Sequence, residues 1–171
     1  YKLMEDVYQI YQEEFAVSWV RCICQSSAMT ESEREEFLQE FREQEDTLLG
    51  FCVMGGIFSE GIDLTQDRLI GAMIVGTGIP QVCNEREILK QYFGAEGFDY
   101  AYLYPGMNKV LQSAGRVIRT EKDKGVILLM DERFQSPHYR RMFPREWSDC
   151  RKCTMENVTE LLTKFWKKDP S

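Results

Sequence analysis

Residues 104–130 decide the fold of this 171-residue chain, and they read YPGMNKVLQSAGRVIRTEKDKGVILLM. Apolar residues recur in the first half at three- and four-residue steps, which predicts an amphipathic helix from Tyr104 to Ile118. After a charged turn, the run from Val126 to Met130 is wholly apolar, as in a strand buried on both faces. A helix that leads into such a strand is typical of an α/β domain with a parallel sheet.

The same alternation extends over the rest of the chain. Further apolar runs predict strands at Trp19 to Cys24, Leu48 to Met54 and Leu69 to Val75. Helical patterns run from Lys2 to about Ser18, from the Thr30/Glu33 capping box, from about Val82 to Phe93, and from Thr154 to Lys168. We therefore expect an α/β three-layer domain with a mainly parallel sheet, which binds its ligands at the carboxyl ends of the strands.

The composition fits one folded domain over residues 1–171, because 43% of the residues are hydrophobic and only 5 are proline. No apolar run approaches the roughly 20 residues of a bilayer-spanning helix, so we expect a soluble, cytoplasmic protein without a membrane partner. The chain begins at Tyr1 with a helical pattern and no leader, which suggests a fragment of a longer chain.

The net charge of −7 conceals two unlike halves. Residues 1–100 carry 7 basic and 19 acidic side chains, a net charge of −12, whereas residues 101–171 carry 14 and 9, a net charge of +5. The electrostatic field at a surface depends on where the charges lie, so the chain could still present a positive face that binds a polyanion.

The six cysteines are scattered, and we interpret them as reduced thiols. Cys150 and Cys153 have the spacing of half a zinc site, but no second pair exists and the only histidine, His138, lies upstream. The sequence therefore favours structural thiols over a metal site.

Two stretches carry polar groups that suit an anionic ligand. On the predicted helix, Gln112, Gly115, Arg116 and Arg119 share one face. One amide and two guanidinium groups therefore project from the same face as a glycine, where a ligand could approach closely. Alternatively, both arginines pair with acidic residues of the following turn, Glu121 or Asp123.

The second stretch, Gly55-Gly56-Ile57-Phe58-Ser59-Glu60-Gly61-Ile62-Asp63, follows a predicted strand. Its backbone amides could meet phosphate, and Glu60 or Asp63 could accept from a ribose hydroxyl or an arginine. A tight solvated turn would have the same composition. Asp131 and Glu132 follow an apolar run, as the acidic residues of a Walker B element do. The sequence contains neither the P-loop motif G-x-x-x-x-G-K-[ST] nor the dinucleotide-binding motif G-x-G-x-x-G, so we expect both acids to be structural.

Residues 56–63 and 112–119 closely resemble motifs V and VI of superfamily 2 helicases of the XPD/DinG type. The likeness continues through the acidic turn, the apolar strand and Asp131 to Phe134. Gln25-Ser26-Ser27 and Gly76-Thr77-Gly78-Ile79-Pro80 are similar to the bacterial DinG-like branch.

The resemblance implies the second RecA-like motor domain of an ATP-dependent DNA helicase, without its own Walker A or Walker B element. ATP and Mg²⁺ would lie between this domain and a first RecA-like domain, and single-stranded DNA would be the other partner, with 5′ to 3′ movement. An iron–sulfur cluster would belong to the first domain. The family's site residues map to catalytic Gln112, Arg116 and Arg119, nucleotide-binding Gly56, Glu60, Gly61, Asp63 and Gly115, and DNA-binding Ser59 and Gly78.

Two further expectations follow. The family places one strand before the first helix of this chain, so the sheet could lack a strand and the isolated chain could associate through an exposed edge. The alternative to a motor domain is a non-catalytic α/β interaction module that binds nucleic acid or an acidic partner.

Overall fold

The computed structural model describes residues 1–41, 46–55, 69–118, 120–121 and 123–167. The chain divides into two compact units, Tyr1–Asp131 and Glu132–Ser171. No helix among the described residues is long and apolar enough to cross a bilayer.

Helices and parallel strands alternate along the first unit, which confirms the predicted α/β class. The described helices are α1 (Lys2–Ile10), α2 (Glu31–Gln39), α3 (Asn84–Tyr92) and α4 (Tyr104–Ala114). The described strands are β1 (Val20–Cys24), β2 (Thr47–Phe51), β3 (Gly71–Val75) and β4 (Val126–Met130).

The described strands form two parallel pairs. Strand β1 pairs with β2, so that Cys24 lies opposite Phe51, and β3 pairs with β4, so that Val75 lies opposite Met130. Within each pair the carboxyl ends therefore coincide. The expected single sheet is not continuous here, since β2 and β3 are not hydrogen-bonded to each other. Hydrophobic pattern identifies strands, but it does not determine which strands pair.

Helix α2 covers the first pair and begins at the predicted capping box. The Thr30 hydroxyl accepts from the Glu33 N–H at 3.3 Å, and the Glu33 carboxylate accepts from the Thr30 N–H at 2.7 Å. These bonds satisfy two amides at the start of the helix. Phe37 and Phe41 are buried, with Ile23 and Leu48 packed against them.

Helix α4 carries the most deeply buried face among the described residues. Met107, Val110 and Ala114 are almost wholly inaccessible, as is Leu103 in the π-helical turn Asp99–Leu103 that leads into the helix. The predicted periodicity of this helix is confirmed. Its predicted end at Ile118 is wrong, because α4 ends at Ala114 and continues as a turn.

The first helix also differs from its prediction. Helix α1 ends at Ile10 and passes into a π-helical turn, Tyr11–Phe15. Its apolar stripe is not buried: Leu3 is 64% exposed and Phe15 is 62% exposed. An amphipathic pattern shows that a helix has an apolar face, but it does not supply the surface against which that face packs.

The second unit is built from short helical turns and one longer helix. In order these are Glu132–Gln135, α5 (Pro137–Arg140), Arg145–Trp147 and α6 (Val158–Lys167). Phe134 is buried and contacts the rings of Tyr139 and Phe143. Helix α6 starts four residues later than predicted, and Met155, assigned to its stripe, is 90% exposed.

Candidate functional site

The segments that follow strands β2 and β3 contact helix α4. Gly55, four residues after β2, has φ +82°, and a methyl group built on it would lie 3.1 Å from Cε of Lys109. Gly78, in the loop after β3, has φ +66°, and a methyl group there would lie 2.7 Å from the carbonyl oxygen of Gly106. Such φ values favour glycine, and the second distance leaves no room for a side chain. The helix is thus the element on which the strand ends converge.

The contact between Gly78 and Gly106 joins backbone to backbone. From the helix side, a methyl group on Gly106 would lie 2.7 Å from the Thr77 carbonyl oxygen and 3.0 Å from the Ile79 amide nitrogen. Both glycines are therefore needed for the loop to lie directly on α4. This contact places Gly78, to which the family resemblance assigns DNA binding, beside the first turn of the helix.

A buried glutamine positions the segment after β2. Gln25 is only 4% exposed, and its amide oxygen accepts from the Val53 N–H at 2.9 Å. Its own backbone N–H donates to the Phe51 carbonyl at 2.9 Å, and its side-chain NH₂ donates to the Tyr1 hydroxyl at 3.3 Å. These bonds tie the residue after β1 to the chain that leads toward Gly55.

The C-terminal end of α4 carries the described part of the predicted phosphate-binding face. Gln112 is exposed in the last turn, and Arg116 is half-buried in the turn after the helix. Gly115 is the C-cap, with φ −66°, and not an interior helical residue as predicted. The Arg116 N–H donates to the Ser113 carbonyl at 3.2 Å, a bond to the third residue back that tightens the turn. Glycine here therefore ends the helix, which its low helix propensity favours.

Residues 56–63 of the second predicted motif, and Arg119 of the first, lie outside the described residues. The roles predicted for Gly56, Ser59, Glu60, Gly61, Asp63 and Arg119 therefore stay predictions.

Lys109 is a site residue that the sequence analysis did not select. It lies one turn before Gln112, so the helical period places these two side chains on one side of α4, and Arg116 follows in the turn after the helix. A search for every cation at three- or four-residue steps from Gln112 would have found it. Its aliphatic chain packs on Gly55, half-buried. The face thus offers an ammonium group, an amide and a guanidinium group, which are donors that match phosphate oxygens.

The turn that leads into helix α4 is anchored by two hydrogen bonds to α3. The Tyr102 hydroxyl donates to the Glu87 carboxylate at 2.6 Å, and the Arg86 guanidinium donates to the Ala101 carbonyl at 2.7 Å. The bond to Glu87 raises the pKa of Tyr102 to about 12, and the same bond lowers the pKa of Glu87. The buried phenol therefore stays protonated and keeps donating at neutral pH.

Thr77 lies in the loop that covers the start of α4. It is 2% exposed, and its hydroxyl makes no hydrogen bond to a residue that the structure describes. The flanking glycines, Gly76 and Gly78, both have positive φ, a conformation that favours glycine.

The cysteines and acidic residues form no metal centre in the described ranges. No group of three or more His, Cys, Asp or Glu side chains is placed there to hold a metal ion. All six cysteines are free thiols, and burial raises the pKa of Cys52. The expectation that Asp131 and Glu132 are structural stays a prediction.

Comparison with known proteins identifies the family. The family described as the helicase C-terminal domain matches residues 1–150. A probable ATP-dependent helicase of Methanocaldococcus jannaschii is 30% identical over 108 residues, 56% of this chain and 17% of that protein. A homologue of regulator of telomere elongation helicase 1 from Caenorhabditis briggsae is 29% identical over 134 residues, 70% of this chain and 13% of that protein.

A solved structure shows the fold. The XPD helicase superposes with a TM-score of 0.62 and 23% identity over 82% of this chain and 25% of that one. The chain spans about a sixth or less of the length of the two curated relatives. With the parallel strands and the loops that converge on α4, these matches lead to one conclusion: the chain belongs to the helicase C-terminal domain family, and its fold matches that of part of the XPD helicase.

Proposed function

We propose that the chain is the second motor domain of an ATP-dependent DNA helicase of the bacterial DinG-like branch, acting in the cytoplasm. One observation carries the proposal: loops from two strand ends contact α4, which carries Lys109 and Gln112 and is followed by Arg116 in the next turn. Ligands of open α/β sheets bind at the carboxyl ends of strands, and cationic side chains there suit a triphosphate.

The chain's own residues would act on the nucleotide as follows. Arg116 and Arg119 bind phosphate oxygens and stabilise the charge that develops on the transferring phosphoryl group. Gln112 orients the γ-phosphate and the attacking water. Gly115 and the glycines of the other motif, Gly56 and Gly61, leave room for backbone approach.

The first motor domain would supply the remaining parts. ATP, bound with Mg²⁺ between the two domains, supplies the phosphoryl group whose transfer to water releases free energy. Glu60 and Asp63 contact ribose or hold the arginines in place, while Ser59 and the Gly78 backbone contact a DNA phosphate.

Movement would follow from the position of these arginines. Since Arg116 and Arg119 bind phosphate only when the two motor domains close, nucleotide binding favours the closed arrangement and product release favours the open one. Alternation between the closed and open arrangements moves the contacts with single-stranded DNA stepwise, in the 5′ to 3′ direction.

An exchange experiment tests the proposal. The C-terminal helicase domain of the Methanocaldococcus jannaschii relative is replaced by this chain, and DNA-stimulated ATP hydrolysis is compared with that of a truncated protein lacking the domain. We expect the exchange to restore DNA-stimulated hydrolysis, and the chain alone to hydrolyse no ATP. A folded exchange protein no more active than the truncated one would favour the non-catalytic interaction module.

A further inference from the structure

The second unit contains an open cleft of about 490 Å³ that the proposed motor chemistry does not use. Its lining combines aromatic rings with arginines: Arg140, Phe143, Pro144, Arg145, Trp147 and Ser148. A volume of this order falls in the range that holds one small organic ligand, roughly 300 to 1,000 Å³.

The aromatic part of the lining is held by its own turn. The rings of Trp147 and Phe143 meet edge to face, with centroids 5.2 Å apart and planes inclined by 75°. Phe143 also contacts the buried ring of Phe134, at 6.3 Å. The backbone N–H of Trp147 donates to the Pro144 carbonyl at 3.0 Å. Both cleft rings are half-buried, so they are fixed in place and partly accessible to a ligand.

The cationic part of the lining has its donors available. Arg140 and Arg145 are exposed, and neither guanidinium makes a hydrogen bond or ion pair to a described residue. Over residues 133–153 the sequence has six Arg and Lys against two acidic residues, Glu146 and Asp149, a net charge of +4. The chain as a whole carries −7, so this positive segment is a local feature.

We propose that this cleft binds a nucleotide unit of single-stranded nucleic acid. Its base stacks on the Trp147 and Phe143 pair, and its flanking phosphates bind Arg140 and Arg145. Aromatic side chains beside cations are the combination that single-stranded nucleic acids require, since every base offers a π-face and every nucleotide a negative charge. An acidic peptide would use the arginines but would leave the rings without a stacking partner.

The cleft uses none of the residues proposed for ATP or DNA contacts in the first unit. It is built only from residues 140–148, and its occupation needs neither ATP nor the arginines that follow α4. It would give the helicase a second binding site for single-stranded nucleic acid, whose affinity does not depend on bound ATP.

Binding of a fluorescent dT12 oligonucleotide to the full 171-residue chain tests the proposal, by anisotropy at several salt concentrations. Replacing Arg140 and Arg145 by alanine should weaken binding about 10-fold or more and reduce the slope of log K against log salt by about 1.4, or 0.7 for each phosphate contact. The matched control replaces the exposed Arg151 and Lys152, which removes the same charge outside the cleft. We expect this control to retain most of the affinity.

Two substitutions at Trp147 separate stacking from packing. Trp147→Ala should weaken binding roughly 10-fold, within the range measured for loss of one base stack. Trp147→Phe keeps a ring, so it should retain most of the affinity while abolishing the part of the oligonucleotide-induced fluorescence quenching that Trp147 supplies. If the alanine variant fails to fold, the phenylalanine variant and the arginine pair still decide the question.

Three outcomes would overturn the proposal. Equal losses from the cleft pair and the control pair would show diffuse charge attraction. Full affinity in the cleft pair would show that the cleft is not used. Tighter binding of an acidic 12-residue peptide than of dT12 would assign the cleft to an acidic protein partner. None of these outcomes bears on ATP hydrolysis, which the exchange experiment measures separately.

Discussion

Replacing Gly78 by alanine should destabilise the first unit far more than the same change at Gly76. Both glycines have positive φ, +66° and +80°, so each alanine meets a conformational cost of about 1–2 kcal/mol. At Gly76 nothing lies within 4 Å of the new methyl group. At Gly78 the methyl group lies 2.7 Å from the Gly106 carbonyl oxygen. The backbone shifts that such overpacking forces lower the free energy of unfolding by about 1–3 kcal/mol more.

The expected totals are therefore about 1–2 kcal/mol at Gly76 and about 2–5 kcal/mol at Gly78. Urea denaturation of the full chain, followed by tryptophan fluorescence and circular dichroism, gives both free energies of unfolding. Gly106→Ala provides a second arm, because it introduces the same overlap from the helix side without a positive φ. Equal losses at Gly76 and Gly78 would show that the loop does not lie on α4, and would refute the geometry of the site.

Three further predictions follow from single contacts. Thr30→Ala removes the hydroxyl of the capping box and should lower the free energy of unfolding by about 1 kcal/mol, measured by urea denaturation at pH 7. The bond between Tyr102 and Glu87 lowers the pKa of the carboxyl group, so its stabilisation is present above the ordinary glutamate pKa of 4.5 and is lost as the pH falls through the lower folded value. Tyr102→Phe should therefore lower the urea midpoint at pH 7 but not at pH 2, and a difference that persists at pH 2 would contradict this. Since burial raises the pKa of Cys52 whereas Cys83 is exposed, alkylation at pH 8 followed by mass spectrometry should label Cys83 well before Cys52.

Periodicity and capping chemistry predicted most of the local structure. The apolar steps of residues 104–118 predict α4, and its buried face is the predicted one. The Thr30 and Glu33 pair predicts the start of α2 because both partners of the capping box lie within four residues. Helix ends were less predictable, because the turn at Gly115 depends on bonds that periodicity does not encode.

The arrangement of the site could be predicted only in part. That polar loops follow the strands was evident, and parallel pairing brings their carboxyl ends together. That Gly78 lies on Gly106, or that Gln25 holds the chain after β2, depends on the approach of segments 28 residues apart in sequence. A single sequence does not specify such approaches, and the motif resemblance supplied residue roles without these contacts.

The ATP turnover of the exchange helicase after Arg116→Ala tests the central claim most directly. The account predicts a fall of about 10³-fold or more in turnover, with nucleotide binding largely intact, since the guanidinium acts mainly on charge in the transition state. The matched control is Arg34→Ala on the exposed surface of α2, which should leave turnover unchanged. Turnover by the Arg116 variant equal to that of the Arg34 variant would contradict the assignment of α4 and its following turn as the phosphate-binding face.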